Sequence, residues 1–305
     1  MLASFSRCLV GSESAMDDRS NRPDAKLPLI SFVDPDASAV FYQSLKTFGF
    51  ATLVDHPIDM DRVDRIYSQW KAYFGAAPDP AMLMDPQRQD GYFSIEVAES
   101  AKGETIRDFK EYFQFYPWGR CPASLRDDLF AHYQQCSDFA ALLLRWVSKH
   151  LPDSISDAFS EPLDSMIEGS QQTMLRVLHY PPVTLDTALP RAAAHEDINL
   201  LTVLPASNET GLELLGADGE WYEVPCDPGS IAVNCGEMLD RATEGYLPAT
   251  THRVVNPTGE AAHRARMSMP LFLAAADDVI ITDGRTAEEL LAERIAELRS
   301  QDSSD

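Results

Sequence analysis

Apolar runs and helical apolar stripes alternate in the first half of the chain. The runs at residues 27–32 and 50–54 predict two strands. After each of them, apolar residues recur every three or four positions, and Gly49 and Gly75 stand where these stripes stop, which predicts two helices. A longer stripe over 125–151 predicts a scaffold helix that packs behind a sheet.

The second half has a different pattern, in which short apolar runs such as 200–204 and 230–234 lie between turn residues. The turns are marked by Gly211, Gly219, Gly229 and Gly236. Strands between turns at this short spacing predict an antiparallel sandwich or barrel. Thr286 and Glu289 stand three residues apart, as in a capping box, and predict the start of a terminal helix.

We expect one domain, because no internal repeat is visible in the sequence. It covers residues 27–300, with an N-terminal helical and strand region over 27–165, a jelly-roll core over 170–275 and a C-terminal helix over 286–300. The fold class is then mainly β with flanking helices. Residues 1–26 are small, polar and mixed in charge, which predicts a disordered tail.

Composition narrows the class of protein. The 305 residues are 45% hydrophobic, enough for a sizeable core, and 48 acidic against 25 basic residues give a net charge of −23. This charge repels phosphate backbones, so we expect no nucleic acid as a partner. The five cysteines are dispersed, which predicts reduced thiols and a cytoplasmic location. No stretch approaches the roughly 18 apolar residues of a spanning helix, so no membrane partner is expected.

The stretch His195-Glu196-Asp197 carries two metal-ligating side chains one residue apart, which project from the same face of a strand. His252, far downstream, is the predicted third ligand, since a jelly roll brings distant strands together. Two neutral imidazoles and one carboxylate form the facial triad that holds non-haem Fe(II) and leaves coordination positions open. The same set also suits Zn2+, Ni2+ or Mn2+. Glu196 should point away from the metal if the strand is regular.

A candidate anion site follows the third ligand in the sequence. In Arg266-Met267-Ser268, the arginine fork grips a carboxylate through two parallel hydrogen bonds, and the serine hydroxyl adds a third donor. Arg264 is the competing arginine, but no serine follows it two residues later.

Five motifs in this order resemble those of the isopenicillin N synthase-like 2-oxoglutarate/Fe(II) dioxygenases. They are Arg-x-x-x-Tyr-Pro-Pro from Arg176, His-x-Asp from His195, Asn-x-Gly-Glu-Met-Leu from Asn234, Thr-His-Arg-Val from Thr251 and Arg-x-Ser from Arg266. The sequence departs from the commonest plant pattern at Leu178, where that pattern has asparagine.

The resemblance implies a double-stranded β-helix and an oxidoreductase that uses Fe(II), 2-oxoglutarate as cosubstrate and O2. Such an enzyme hydroxylates, desaturates or cyclises a small organic metabolite and releases succinate and CO2. Arg266 and Ser268 then bind the distal carboxylate of 2-oxoglutarate, with an added hydrogen bond from Tyr180.

Aromatic side chains are candidates for the substrate pocket. Tyr92 and Phe113 lie in strand-like aromatic runs, which predict either sheet packing or, as the resemblance implies, a pocket wall. Phe272 follows the Arg-x-Ser motif and either closes the pocket or packs in the core. We expect His179 to be structural or solvated, and Arg176 to support the site or pair with an acid.

Two rival functions stay open at this point. One is an oxidase of the same fold that uses Fe(II) and O2 without 2-oxoglutarate, since isopenicillin N synthase itself carries Arg-x-Ser. The other is a non-catalytic jelly-roll binding protein, which requires the triad to be coincidental or vestigial. The substrate and the oligomeric state are not encoded in any of these motifs.

Overall fold

The computed structural model describes residues 27–97, 108–183 and 189–302. The predicted disordered tail over 1–26 lies outside these residues. Across the three ranges, no helix combines the length and the apolar character needed to cross a membrane.

The chain begins with strands and helices in alternation, as the apolar pattern predicted. These elements are β1 (Leu29–Ser31), α1 (Ala37–Phe48), β2 (Phe50–Val54) and α2 (Met60–Phe74). Gly49 ends α1 with φ 65°, and a Cβ there would lie 2.2 Å from Thr250 Oγ1. Only glycine tolerates both this φ and this contact. The close approach places the start of β2 against the loop that leads to His252.

Two strands and the long predicted helix follow. They are β3 (Gly91–Phe93), β4 (Glu111–Phe115) and α3 (Ala123–His150), with the short α4 (Asp153–Ser156) after them. The buried side of α3 includes Leu129, Phe139 and Leu143. It packs against α1, α2 and the later strand Leu271–Leu273, which is the scaffold position behind a sheet that was expected of it.

The remaining elements build the two sheets and the C-terminus. They are β5 (Met174–Tyr180), β6 (Ala192–His195), β7 (Leu201–Pro205), β8 (Leu212–Leu215), β9 (Trp221–Glu223), β10 (Ile231–Cys235), α5 (Glu237–Ala242), β11 (His252–Val254), β12 (Arg266–Ser268), β13 (Leu271–Leu273), β14 (Ile280–Thr282), β15 (Arg285–Thr286) and α6 (Ala287–Asp302). Single 3-10 turns lie at Pro80–Met82 and Gly259–His263. The predicted capping box begins α6, since Glu289 N–H donates to Thr286 Oγ1 and Thr286 N–H to Glu289 Oε2.

Two sheets face each other in a double-stranded β-helix. The larger has the order β1-β2-β10-β7-β13-β5-β4-β3, with β12 also paired to β5, and the smaller has the order β6-β11-β8-β9. Strand β1 pairs parallel to β2. The pairs β2–β10 and β10–β7 of the larger sheet and β11–β8 of the smaller sheet are antiparallel. One apolar cluster joins both sheets, through Phe50, Leu178 and Ala232 of the larger and Leu214 and Val254 of the smaller. We call the faces that meet there the inner faces. The fold is mainly β with flanking helices, as predicted.

Strand alternation places two of the candidate pocket residues on the helix-facing side of the larger sheet, which is the packing alternative of the sequence analysis. Phe113 is fully buried on the helix-facing side of β4, with its ring centroid 4.8 Å from that of Trp70. Tyr92 lies on the same side of the sheet. Their neighbours Phe93 and Tyr112 occupy the inner face instead, where the two rings stack with their centroids 4.6 Å apart. Successive residues of a strand point to opposite faces, so an error of one position moves a side chain from the pocket to the core.

Replacing Phe113 tests this assignment. Phe113→Ala should lower the free energy of unfolding by about 3–5 kcal/mol, because it leaves a cavity in the helix-facing core. Val40→Ala, on the exposed side of α1, is the control and should change it by less than about 0.5 kcal/mol. Urea unfolding of both variants measures the difference. Equal, small effects would contradict the burial of Phe113.

Candidate metal centre

The three predicted ligands converge at the ends of two paired strands. His195 of β6 lies directly opposite His252 of β11, with ring centroids 4.4 Å apart. Asp197 Oδ1 lies 3.9 Å from His195 Nε2 and 3.7 Å from His252 Nε2. One ligand atom from each residue lies within 4.8 Å of the others. Three such atoms form one face of a coordination sphere.

Asp197 reaches this position differently from the sequence prediction. The strand β6 ends at His195, so Asp197 is not held on its face by regular alternation. Glu196 does turn away, as expected, and accepts a hydrogen bond of 2.9 Å from Thr251 Oγ1. The backbone therefore leaves the strand between the two ligands, and other contacts must orient the Asp197 carboxylate.

Both imidazoles are oriented by backbone carbonyls. His195 Nδ1 lies 2.8 Å from the Ala193 carbonyl oxygen, and His252 Nδ1 lies 3.0 Å from that of Thr250. A carbonyl oxygen only accepts, so each Nδ1 carries the proton and donates. The lone pair is then on Nε2, the atom that faces Asp197. This arrangement fixes the tautomer that binds a metal.

Two polar side chains orient the carboxylate of Asp197. Its Oδ2 accepts hydrogen bonds from Thr202 Oγ1 at 2.6 Å and Asn234 Nδ2 at 2.8 Å. Asn199 Nδ2 donates to Thr202 Oγ1 at 3.0 Å, which directs the Thr202 proton toward Asp197. Oδ2 is thereby occupied, and Oδ1 is left for a metal.

Sequence reasoning assigned no role to Thr202 or Asn234. Both are polar residues in apolar strands, Thr202 in β7 and Asn234 in β10, at positions that alternation places on the inner face. A polar residue at an inward position of an apolar strand was the signal that could have identified them.

Burial and neighbouring charges favour the protonation states in which His195 and Asp197 bind a metal. Burial, followed by the nearby His252, lowers the pKa of His195 to about 4, so its imidazole is neutral at pH 7. Burial alone would raise the pKa of Asp197. The two imidazoles and the hydrogen bonds from Asn234 and Thr202 outweigh it, and the pKa is lowered. A neutral imidazole and an ionised carboxylate are the forms that bind Fe(II).

A buried arginine lies on the inner face of the larger sheet. Arg266 is opposite Tyr180 across β12 and β5, and Ser268 is opposite Leu178. The Arg266 guanidinium carbon is 5.1 Å from the centroid of the Tyr180 ring, and its Nε donates to the Glu209 carbonyl at 3.1 Å. Its Nη1 is buried and has no hydrogen-bond partner in the described part of the chain. An unpaired charged donor at this depth fits a carboxylate ligand.

The other predicted residues divide among the inner face, the helix-facing side and the surface. Phe272 lies on the inner face, because its neighbours in β13 join the helix-facing core and Arg176 lies 5.5 Å above its ring. His179 stacks on Phe74 at 5.3 Å, on the helix side of β5. Arg264, the competitor of Arg266, is exposed and paired with Glu209 at 2.6 Å.

Comparison with known proteins agrees with the motifs. The family model of the 2OG-Fe(II) oxygenase superfamily matches residues 171–275, which span β5 to β13. Flavanone 3-dioxygenase 2 of Oryza sativa subsp. japonica is 27% identical over 275 residues, covering 84% of this chain and 75% of that protein.

Two crystal structures are also similar. A protein of Shewanella oneidensis, provisionally described as an oxygenase, is 43% identical with a TM-score of 0.82, covering 90% of this chain and 99% of that one. A Caulobacter crescentus protein, provisionally described as a 2OG-Fe(II) oxygenase family protein, is 28% identical with a TM-score of 0.74. The match covers 89% of this chain and 99% of that one.

The hydrogen bond to Asp197 gives a testable prediction. Thr202→Val should weaken binding of Fe(II), or of Co(II) as its spectroscopic probe, by roughly 10-fold, because the carboxylate loses one of its two anchors. Thr243→Val is a matched control, since Thr243 is also buried but its hydroxyl bonds to backbone groups around α5. Anaerobic metal titration measures both. Unchanged affinity in Thr202→Val would contradict the orienting role.

Proposed function

We propose, since the chain belongs to the 2OG-Fe(II) oxygenase superfamily, that Arg266 anchors the distal carboxylate of 2-oxoglutarate in its active site. The protein is a 2-oxoglutarate/Fe(II)-dependent dioxygenase, and its cofactors are Fe(II), 2-oxoglutarate and O2. When bound, these supply the oxidant: substrate C–H, O2 and 2-oxoglutarate yield the oxidised substrate, succinate and CO2. The observation that carries the proposal is the buried Nη1 of Arg266 on the inner face, which has no hydrogen-bond partner among the described residues.

Arg266 is well placed to bind and orient a dicarboxylate. The residue is 2% exposed, so a carboxylate paired with it is shielded from water and interacts strongly. Ser268 and Tyr180 lie on the same inner face and are the second and third residues that we assign to this anion. The triad then determines the position of the opposite, 2-oxo acid end.

His195, Asp197 and His252 are the residues that we propose hold the metal. The hydrogen bonds from Nδ1 to backbone carbonyls orient Nε2 of both imidazoles toward the metal position. The hydrogen bond that Asp197 Oδ2 accepts from Thr202 orients the carboxylate in the same way. Because these contacts exist before a ligand arrives, little reorganisation is needed when one binds.

The substrate side of the site is proposed to include Phe272. Arg176 lies over the Phe272 ring at 5.5 Å and over the Tyr112 ring at 4.4 Å, so aromatic and cationic surface adjoin there. Tyr112 replaces Phe113 in the proposed wall, in line with the alternation of β4. Such a wall suits a small organic molecule.

We also propose that the enzyme acts in the cytoplasm, as one domain over residues 27–300, and that it does not bind nucleic acid. The net charge of −23 supports the last point, because it opposes contact with phosphate backbones. A mobility-shift assay with duplex DNA at low salt is the check, and binding there would contradict it.

Succinate formation tests the function directly. Protein reconstituted anaerobically with Fe(II), then given 2-oxoglutarate and O2, should release succinate slowly even without its substrate. His195→Ala should abolish the release, because a ligand is lost, and Arg266→Ala should reduce it by roughly 10-fold or more at limiting 2-oxoglutarate. His56→Ala and Arg65→Ala are the matched controls, since His56 bonds to the Gly229 carbonyl and Arg65 to Asp128.

The contrary outcomes separate the rivals. Oxygen consumption without succinate would indicate an oxidase that does not use 2-oxoglutarate. Absence of both iron binding and succinate would indicate a non-catalytic binding protein.

The pocket wall gives a further prediction. Once screening has found a compound that accelerates succinate release, Phe272→Ala should raise its KM several-fold, because an aromatic contact is lost. The slow release without that compound should stay unchanged. Tyr92→Phe, on the helix-facing side, should alter neither quantity. An unchanged KM in Phe272→Ala would place Phe272 outside the substrate site.

A further inference from the structure

A second arginine is buried close to Arg266. Arg191, immediately before β6, is 0% exposed. Its Nη2 donates to the Arg264 carbonyl oxygen at 3.1 Å. Its Nε and Nη1 are buried and have no hydrogen-bond partner in the described residues. A guanidinium has five N–H donors and does not lose its proton in proteins, so these two groups need an acceptor.

Arg191 and Arg266 share one aromatic neighbour. The guanidinium carbon of Arg191 is 6.0 Å from the Tyr180 ring centroid, and that of Arg266 is 5.1 Å from the same centroid. Burial and the charge of Arg266 both lower the pKa of Arg191. Two cations are thus held close together at a buried place on the inner faces.

The nearby acid is already committed to another residue. Glu209 contributes its carbonyl oxygen to Arg266, but its carboxylate oxygens pair with Arg264 at 2.6 and 3.1 Å. Glu209 still attracts Arg191 at longer range, but among the described residues its carboxylate accepts no hydrogen bond from Arg191 or Arg266. Burying unpaired like charges is unfavourable, and an anion that accepts from both would relieve the repulsion and the unpaired donors together.

We propose that Arg191 is a second cationic residue for the distal carboxylate of 2-oxoglutarate, which it shares with Arg266. The inference rests on the proposed function. One carboxylate offers two oxygens with about four acceptor sites, enough for two guanidiniums and a serine hydroxyl. Arg191 directly precedes β6 of the smaller sheet and Arg266 begins β12 of the larger, so the bound carboxylate links the two sheets.

This arrangement makes the charge of the cosubstrate tail a determinant of specificity. A 2-oxo acid with an apolar tail would leave two buried cations unpaired, whereas 2-oxoglutarate satisfies both. Arg191 should therefore discriminate 2-oxoglutarate from 2-oxopentanoate, in which a methyl group replaces the distal carboxylate.

Equilibrium binding tests the role without turnover. The full chain is loaded anaerobically with Mn(II), and 2-oxoglutarate and 2-oxopentanoate are titrated in a calorimeter. Arg191→Gln should raise the Kd for 2-oxoglutarate by roughly 10- to 100-fold, the usual range for a charge-assisted hydrogen bond, and leave that for 2-oxopentanoate within about 3-fold. Arg191→Lys should retain part of the affinity. Arg65→Gln, at an exposed arginine of α2 that pairs with Asp128 of α3, should change neither constant.

The contrary results are distinct. Unchanged 2-oxoglutarate affinity in Arg191→Gln, with weakened affinity in Arg266→Gln, would overturn the inference and leave the proposed function intact. Equal losses for both 2-oxo acids would assign Arg191 a purely structural role and also overturn it. Wild-type protein that binds no 2-oxoglutarate would overturn the proposed function itself.

A crystal structure of the wild-type protein with Mn(II) and 2-oxoglutarate covers the case in which Arg191→Gln does not fold. Arg191 Nε or Nη1 should lie within about 3.2 Å of a distal carboxylate oxygen. A carboxylate held by Arg266 alone, with Arg191 bonded only to protein or water, would overturn the proposal.

Discussion

The carboxylate of Asp197 is the group on which the rest of the site depends. It is a buried charge, and a buried charge persists only when its hydrogen bonds and charge partners are in place. Thr202 and Asn234 of the larger sheet hold one oxygen, and His195 and His252 of the smaller sheet approach the other. The carboxylate thus connects the two sheets, and the metal centre exists only if they pack in this register.

The register of the strands also separates core from pocket. In β5, Leu175 and Val177 join the helix-facing core, whereas Leu178 and Tyr180 join the inner cluster. The helices α1, α2 and α3 cover only the helix-facing side of the larger sheet. The inner side is left for polar and ionisable groups, because there they can pair with one another or with ligands.

The overall charge and the local charge of this protein have opposite signs. The chain carries −23, yet Arg176, Arg191 and Arg266 lie on or beside the inner faces. A strongly acidic composition would argue against an anionic ligand if charges were spread evenly. The fold concentrates cations where the proposed dicarboxylate binds, so net charge describes solubility and long-range repulsion rather than the chemistry of the site.

Much of this protein was determined by the sequence itself, because local patterns require only near neighbours. Apolar runs and helical apolar stripes predicted strands and the helix α3, the spacing of Thr286 and Glu289 predicted the capping box of α6, and the motifs predicted that His195, Asp197 and His252 come together. Tertiary structure decided the rest. The side of the sheet taken by Phe113, and the contacts of Thr202, Asn234 and Arg191, depend on which strands pair and in what register. Those are relations between residues far apart in the chain, and no local pattern encodes them.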